Sequence, residues 1–482
     1  MDSENLKKKT AVSLIWNIIN KAGYQVIAFL VAIITTRILT PEDFGYIAAL
    51  AIFSIVSGVL IESGFSIALV RRENNTRADY SAAFYFNVLL SIILYFILFF
   101  CAPLIADFFN MPPLVNLARV IFLALVINSF VIVPNVILTK QLKFKQIAIA
   151  DLGGMIISSV ITIVLAIKGF GYWAIAAQQV SQVFFKMIII WCCSKWWPSW
   201  KSNFALIKEL FAFSFAIIIS SLLNYLSKYV YNFVIGRTYS TADLGYYGQA
   251  NKYYQIPVNV IINSVVGVAY PVFSSLNNDK ERQVAYINKI IAFLSFFSFP
   301  VLLGFFAVAP NFITVVITDK WMPILPYLRL FLISSLIQPF IILNINIFNV
   351  KGKSRYYLYV EILMVALTAI FLLLMHDTIM QMIIGFLLTN LIVWVVTLFI
   401  VKHCVGISCL TQIVKMLPSL LISIIMAGGV MLFDYLVPIT PIYKLCCELI
   451  IGVVLYILLA LISKNQIFIE IFNQILNKIK NK

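Results

Sequence analysis

Residues 37–46 read Arg37-Ile-Leu-Thr-Pro-Glu-Asp-Phe-Gly-Tyr46, a short polar break between two apolar runs, Val12–Ile34 and Phe44–Val70. At an offset of 200 residues the chain reads Arg237-Thr-Tyr-Ser-Thr-Ala-Asp-Leu-Gly-Tyr246. The two segments align without gaps, matching Arg, Asp, Gly and Tyr, with Thr40/Ser240 and Phe44/Leu244 similar. The spacing Thr40…Asp43 and Ser240…Asp243 predicts a capping box at each helix start, in which the hydroxyl accepts from an orphan amide and the acid reaches back. Pro41 sits at the favoured first helical position. Arg37 and Arg237 each follow a helix, where a cation suits the negative end of the dipole. This structural reading outweighs a direct substrate contact by either arginine. Each copy falls between the first and second helix of a six-helix half, with an even number of spans between them. The halves therefore share an orientation and are related by an axis along the membrane normal.

Apolar runs like those flanking the first copy recur along the whole chain. Hydrophobic residues make up 62% of the 482 positions and charged residues only 11%. A soluble globule could not be covered with so little polar surface, so the bilayer is the solvent. The runs are continuous over about twenty residues, the length that spans ~30 Å of hydrocarbon as a helix, and lack the alternation of barrel strands. The fold class is all-α, a polytopic membrane protein with about fourteen transmembrane helices. Residues 1–193 form an N-terminal six-helix lobe and 210–403 a C-terminal one, with helices 13 and 14 in 404–463. Between the lobes, 194–209 reads as a cytoplasmic interfacial linker, because Trp191-Cys-Cys-Ser-Lys-Trp-Trp-Pro-Ser-Trp200 gathers indoles where the chain leaves the membrane. The tail, 464–482, places Ile467, Phe468, Ile471, Phe472, Ile475, Leu476 and Ile479 at helical spacing, an amphipathic segment for the cytoplasmic leaflet.

Charge alternates along the connections. One set, from Lys7–Lys9 to Lys464–Lys482, holds 24 of the 35 basic residues; the other has Arg37, Lys168, Arg237, Lys320 and Lys444. The positive-inside rule puts both termini in the cytoplasm and accounts for the net charge of +16 without nucleic acid. The first apolar run is interrupted by Asn17, Asn20 and Lys21 and lacks a small-residue cleavage site, so it is read as a retained helix. The seven cysteines lie in or beside apolar runs and show no metal-type pairing with His376 or His403. Catalytic triads, Gly-rich phosphate loops and metal-ligand clusters are absent from the sequence, which argues against an enzyme, an ATPase and a resident cofactor.

Three segments carry a family resemblance: Thr35-Thr-Arg-Ile-Leu-Thr-Pro-Glu-Asp-Phe-Gly-Tyr46, Gly171-Tyr-Trp-Ala-Ile-Ala-Ala-Gln-Gln179, and Tyr246-Tyr-Gly-Gln-Ala-Asn with Pro257-Val-Asn259. They resemble the polysaccharide transporter family, more narrowly the Wzx-type, colanic-acid-like flippases of the multidrug/oligosaccharidyl-lipid/polysaccharide exporter superfamily. The resemblance implies two six-helix lobes facing a central cavity, with the last two helices appended. It also implies alternating-access transport of an undecaprenyl-pyrophosphate-linked repeat unit from the cytoplasmic to the periplasmic leaflet of the bacterial inner membrane. The partners implied are the polyprenyl-pyrophosphate-linked glycan, membrane lipids, and polymerase and chain-length proteins of surface polysaccharide synthesis. Coupling to a proton or to sodium is left open.

Charged residues inside spans cost about 2.5–3.5 kcal/mol each on insertion scales, so each needs an escape or a wet location. Asp151, Lys186 and Glu361, near cytoplasmic span ends, and Arg119, Arg329 and Glu448, near periplasmic ones, are read as escaping or pairing locally. Lys21 lies too deep for that, on a face with Asn17, Asn20 and Tyr24. In span seven Ser220, Asn224, Lys228 and Asn232 repeat every four residues, and in span eight Gln249, Lys252, Asn259 and Asn263 form a polar stripe. Glu62, in line with Ser54 and Gly58, faces the same space and is the proton-linked candidate. The candidate substrate-binding residues are therefore Asn17, Lys21, Tyr24, Glu62, Asn224, Lys228, Gln249, Lys252 and Asn259; the competing reading is interhelical hydrogen bonding that only holds the bundle. Two rival functions stand beside this reading. A multidrug or other small-molecule antiporter of the same fold would favour an acidic cavity for cationic drugs, whereas these faces carry three lysines against one glutamate. A polysaccharide polymerase needs a catalytic loop, and the connection from Asn311 to Pro323 is short and nearly featureless.

Overall fold

The computed structural model describes residues 3–62, 64–200, 203, 205–275, 280–470, 472 and 473. Of the tail 464–482, residues 464–470, 472 and 473 are described, with Ile467 buried and the Phe468 ring against that of Phe296, whereas Ile471, Ile475, Leu476 and Ile479 of the expected amphipathic stripe lie outside the described residues. The first group of helices is α1 (Ser3–Ile38), α2 (Pro41–Glu62), α3 (Phe65–Arg71), α4 (Arg77–Phe109), α5 (Leu114–Lys140), α6 (Phe144–Ile167), α7 (Tyr172–Ser194) and α8 (Ala205–Thr238). After α9 (Thr241–Ser275) come α10 (Lys280–Phe312), a π-helical turn (Ile313–Ile317) and a 3-10 turn (Asp319–Ile324). The chain ends in α11 (Leu325–Ser335), α12 (Gln338–Val350), α13 (Ser354–Leu374), α14 (Ile379–Val405), α15 (Cys409–Leu436) and α16 (Pro441–Ile462). The described residues contain no strand, in accord with the all-α class.

Among the described residues, twelve stretches are each long and apolar enough to cross a membrane, and the bent pair Ala205–Ala212 and Ser214–Thr238 makes thirteen. The expected fourteenth is α9, which spans 35 residues but is diluted by its polar stripe. Two expected spans are each broken. Phe44–Val70 divides at Gly64, whose φ of 62° is a left-handed conformation that glycine adopts without penalty. Ile324–Val350 divides between α11 and α12.

Local chemistry sets the helix starts. Thr40 N donates to Asp43 Oδ2 (2.9 Å) while Asp43 N donates to Thr40 Oγ1 (3.4 Å). Ser240 N donates to Asp243 Oδ2 (3.3 Å) while Asp243 N donates to Ser240 Oγ (3.1 Å). Both expected capping boxes are therefore present, and Thr76 with Asp79 forms a third at the start of α4.

By compactness the chain divides into Met1–Gly245 and Tyr246–Lys482. Compactness gathers α8 with α2, α3 and α4, whereas the internal repeat groups α8 with the second six-helix lobe, 210–403. In the first unit Phe65, Leu69, Phe84, Val133 and Leu210 form a core against which Trp191 and Trp196 pack. The tryptophan-rich linker is tied to the start of α4: Arg77 Nε donates to the Trp197 carbonyl (3.1 Å) and Ser199 N to Ser81 Oγ (2.8 Å). In the second unit α10 packs along α15 and α16, with Phe296, Val308, Met426, Val430 and Tyr456 at the core.

Candidate functional site

The two copies of the repeat meet at a pair of glycines. A Cβ built on Gly45 would lie 1.9 Å from the Thr241 carbonyl oxygen, and one on Gly245 would lie 1.9 Å from the Pro41 carbonyl oxygen. Position 45 of each copy thus meets position 41 of the other, the reciprocity that a two-fold contact requires. Two of the three segments that carry the family resemblance also pack together. Asp43 sits against Gly171, whose φ is +55° and whose added Cβ would lie 2.7 Å from Asp43 Oδ1; the Tyr46 and Tyr172 rings meet edge-on at 5.1 Å.

In the first unit, α1 divides its polar residues between two jobs. Asn20 Nδ2 donates to Asp151 Oδ2 (2.8 Å), and Asp151 Oδ1 is 2.7 Å from Lys186 Nζ. The Tyr24 hydroxyl accepts from Gln182 Nε2 at 2.7 Å. These bonds fasten α1 to α6 and α7, so Tyr24 contributes to bundle packing, and Asp151 with Lys186 pair with each other. Lys21 is exposed, and Asn17 is half-buried. Along α8 the ladder runs from half-buried Ser220 and Asn224 through exposed Lys228 to buried Asn232, whose Nδ2 donates to the Ala48 carbonyl (3.4 Å). On α2, Glu62 is exposed, and four residues earlier a Cβ on Gly58 would meet nothing within 4 Å. That face of α2 is open.

Helix α9, most of which lies in the second unit, has two unlike faces. Leu244, Tyr247, Tyr253, Tyr254 and Val258 are buried. Tyr254 stacks on Phe331 of α11 with ring centroids 4.7 Å apart. Lys252, Gln255, Asn259 and Asn263 are exposed along the opposite side, while Gln249 is buried. An exposed polar stripe on a helix within a membrane protein is compatible with water or headgroups and incompatible with acyl chains.

Lys21 and Lys228 are thus exposed in the first unit and Lys252 in the second, while Tyr24 and Gln249 are taken up by packing. Of the residues expected to escape or to pair locally, two do not escape. Glu448 is fully buried, and Glu361 is buried with a hydrogen bond to Tyr357. Glu448 belongs to a cluster with Asn311, Asp434 and Lys444. The sequence signal for it was the four-residue spacing of Lys444 and Glu448 on one helical face.

The family model for polysaccharide biosynthesis proteins matches residues 34–326. The chain belongs to this family. It is 25% identical over 321 residues to the succinoglycan biosynthesis transport protein ExoT of Rhizobium meliloti strain 1021, covering 66% of this chain and 65% of that one. It is 29% identical over 310 residues to the teichuronic acid biosynthesis protein TuaB of Bacillus subtilis strain 168, covering 62% of this chain and 63% of that one. The chain thus spans less than two thirds of the length of both relatives. Its fold matches that of the lipid II flippase MurJ in an inward closed conformation, with a TM-score of 0.77 at 15% identity, over 94% of this chain and all of that one.

Proposed function

We propose that this protein is a flippase that carries undecaprenyl-pyrophosphate-linked oligosaccharide repeat units from the cytoplasmic to the periplasmic leaflet, by alternating access, for surface polysaccharide synthesis. Membership of the polysaccharide biosynthesis family, with relatives named for succinoglycan transport and teichuronic acid synthesis, supports the glycan half of this reading. The observation that carries the chemistry is the set of exposed lysines Lys21, Lys228 and Lys252 on polar faces of α1, α8 and α9. A cation and a phosphate at ~4 Å attract by about 4 kcal/mol at an effective dielectric near 20, enough to hold an anionic headgroup in a partly wet site. Lysine, as a mobile point charge, releases that headgroup more readily than an arginine fork. Asn17, Asn224 and Asn259 serve the sugar, and no covalent chemistry is required of the chain. The protein works in the inner membrane with both termini cytoplasmic, beside polymerase and chain-length proteins, and Glu62 on the open face of α2 is a site for a coupling proton or sodium ion. An antiporter for cationic drugs is disfavoured by the cationic character of these faces.

Deleting the gene should strand lipid-linked repeat units on the cytoplasmic leaflet and abolish surface polysaccharide. Single Lys→Ala variants should be inserted at normal abundance yet export less glycan, with Lys→Arg retaining more than Lys→Gln. If deletion instead leaves the glycan intact, with no second flippase present, and raises drug sensitivity, the antiporter reading replaces this one.

A further inference from the structure

The cluster where α15 meets α16 holds one more carboxyl group than its ammonium can balance. Asn311, at the end of α10, donates its Nδ2 to Asp434 Oδ1 (2.9 Å) and to Glu448 Oε1 (2.6 Å). Lys444 Nζ lies 2.7 Å from the same Asp434 oxygen. One amide nitrogen thus bridges Asp434 Oδ1 and Glu448 Oε1 and brings the two carboxyl groups together. Ionised carboxylates are acceptors only, so a bond between two of them requires a proton on one. Asp434 already receives an ammonium and an amide. Glu448 is 0% exposed, and its Oε2 has no hydrogen-bond partner when counted as an acceptor. As a carboxylate, Glu448 would hold an unsatisfied charged oxygen away from water. As a carboxylic acid, it turns that oxygen into a donor toward Asp434. Lys444 then balances Asp434, and both amide hydrogens of Asn311 are used.

We propose that Glu448 and Asp434 share one bound proton, making this cluster a proton-binding site that fastens α15 and α16 to α10. The surrounding groups favour a proton over a metal cation, since Asn311 and Lys444 present N–H donors where a cation would need oxygens. Among the described residues, α10 carries one acid, Glu281 in its first turn, at the opposite end of the helix from Asn311. The π-helical turn carries only Ile313, Thr314, Val315, Val316 and Ile317. Arg329 of α11 acts electrostatically on Asp434, while its Nε donates to the Phe306 carbonyl at 3.4 Å. Loss of the proton leaves two carboxylates and a single ammonium within the hydrogen-bonded cluster, and the repulsion between the carboxylates acts across the α15–α16 contact. The site is a property of the fold and does not depend on which cargo is carried.

Infrared difference spectroscopy on the purified full-length protein tests this without any transport assay. The wild type should give one protonated-carboxyl carbonyl band that moves on isotope labelling of glutamate side-chain carboxyls and is lost as pH rises. Glu448→Gln should lack the band. Asp434→Asn should also lose it, although Glu448 remains, because Lys444 then pairs with an ionised Glu448. A band that persists in Asp434→Asn would mean that burial alone keeps Glu448 neutral, and the shared-proton site would be wrong. A band removed at fixed pH by sodium chloride but not by choline chloride would make this a metal-cation site and likewise overturn the proposal. If Glu448→Gln fails to fold, the glutamate-labelled wild type and Asp434→Asn still decide.

Discussion

The two copies of the repeat, 37–46 and 237–246, share one local device and use it in different surroundings. Both open a helix with a hydroxyl–aspartate capping box, and both place a glycine where the other copy's backbone passes. Beyond that they diverge. In the first copy Asp43 and Tyr46 also rest on Gly171 and Tyr172 at the start of α7. In the second, Arg237 reaches α4, where Nη1 donates to the Phe108 carbonyl at 2.6 Å and the guanidinium lies 5.2 Å from the Phe108 ring centre. Helix capping is dictated by three or four neighbouring residues and so survives in both copies. Tertiary contacts depend on what lies opposite and do not.

The glycine crossing is where breaking the symmetry should cost most. Gly45→Ala and Gly245→Ala each drive a methyl group into a backbone carbonyl, which cannot turn aside as a flexible side chain would. Each should lose ~3 kcal/mol, the upper end of ordinary overpacking, and the two should lose similar amounts if the crossing is reciprocal. Gly58→Ala, whose methyl meets open space on the same α2, is the control and should be neutral or gain up to about 1 kcal/mol of helix preference. Thermal unfolding in detergent, followed by size-exclusion fluorescence, ranks the three. A costly Gly58→Ala beside a harmless Gly45→Ala would mean that the close approach does not govern stability.

That crossing also marks the limit of what the sequence discloses. The repeat and its caps are legible because each depends on residues within one turn of each other, and the all-α class follows from apolar run length alone. The role of Gly45 is not legible, because the atom that forbids a side chain there belongs to Thr241. The polar faces of α1, α8 and α9 could be read from periodicity, yet periodicity alone could not tell that Lys21 stays exposed while Tyr24 is claimed by Gln182. The Asn311–Asp434–Lys444–Glu448 cluster was missed for a related reason. Asn311 lies more than a hundred residues before its two acceptors, so Glu448 read alone could be assigned only to escape or to a local pair.

The capping boxes allow a finer comparison. Thr40→Ala and Ser240→Ala remove the same hydroxyl acceptor from equivalent helix starts and should each cost about 1 kcal/mol. Removal of the acid should separate the copies. Asp43→Ala loses its capping bonds and also opens a gap over Gly171, whereas Asp243→Ala loses capping alone. The first should therefore exceed the second by roughly 0.5–1 kcal/mol, about one additional packing contact. Equal losses would show that the Asp43–Gly171 approach contributes nothing to stability.

The smallest expected effect belongs to Arg237, and it sharpens the comparison by separating charge from shape. Its side chain is exposed, so the helix-end attraction of a cation is worth only about 0.3–1 kcal/mol and any cation supplies it. The bond to the Phe108 carbonyl and the approach to the Phe108 ring are different, since they use the flat, multiply donating guanidinium. Arg237→Lys keeps the first contribution and weakens the second; Arg237→Gln loses both. The expected order of stability is wild type, then Lys, then Gln, within a total range of about 1 kcal/mol. A double-mutant cycle with Phe108→Leu isolates the ring contact, which should couple to Arg237 by about 0.5 kcal/mol and to a lysine at that position by less. If the Lys variant matches the wild type and the cycle returns no coupling, Arg237 does only what a helix-terminal cation does. The second copy would then have no tertiary use of its arginine, and the copies would differ in how Asp43 and the two tyrosines, Tyr46 and Tyr246, are packed.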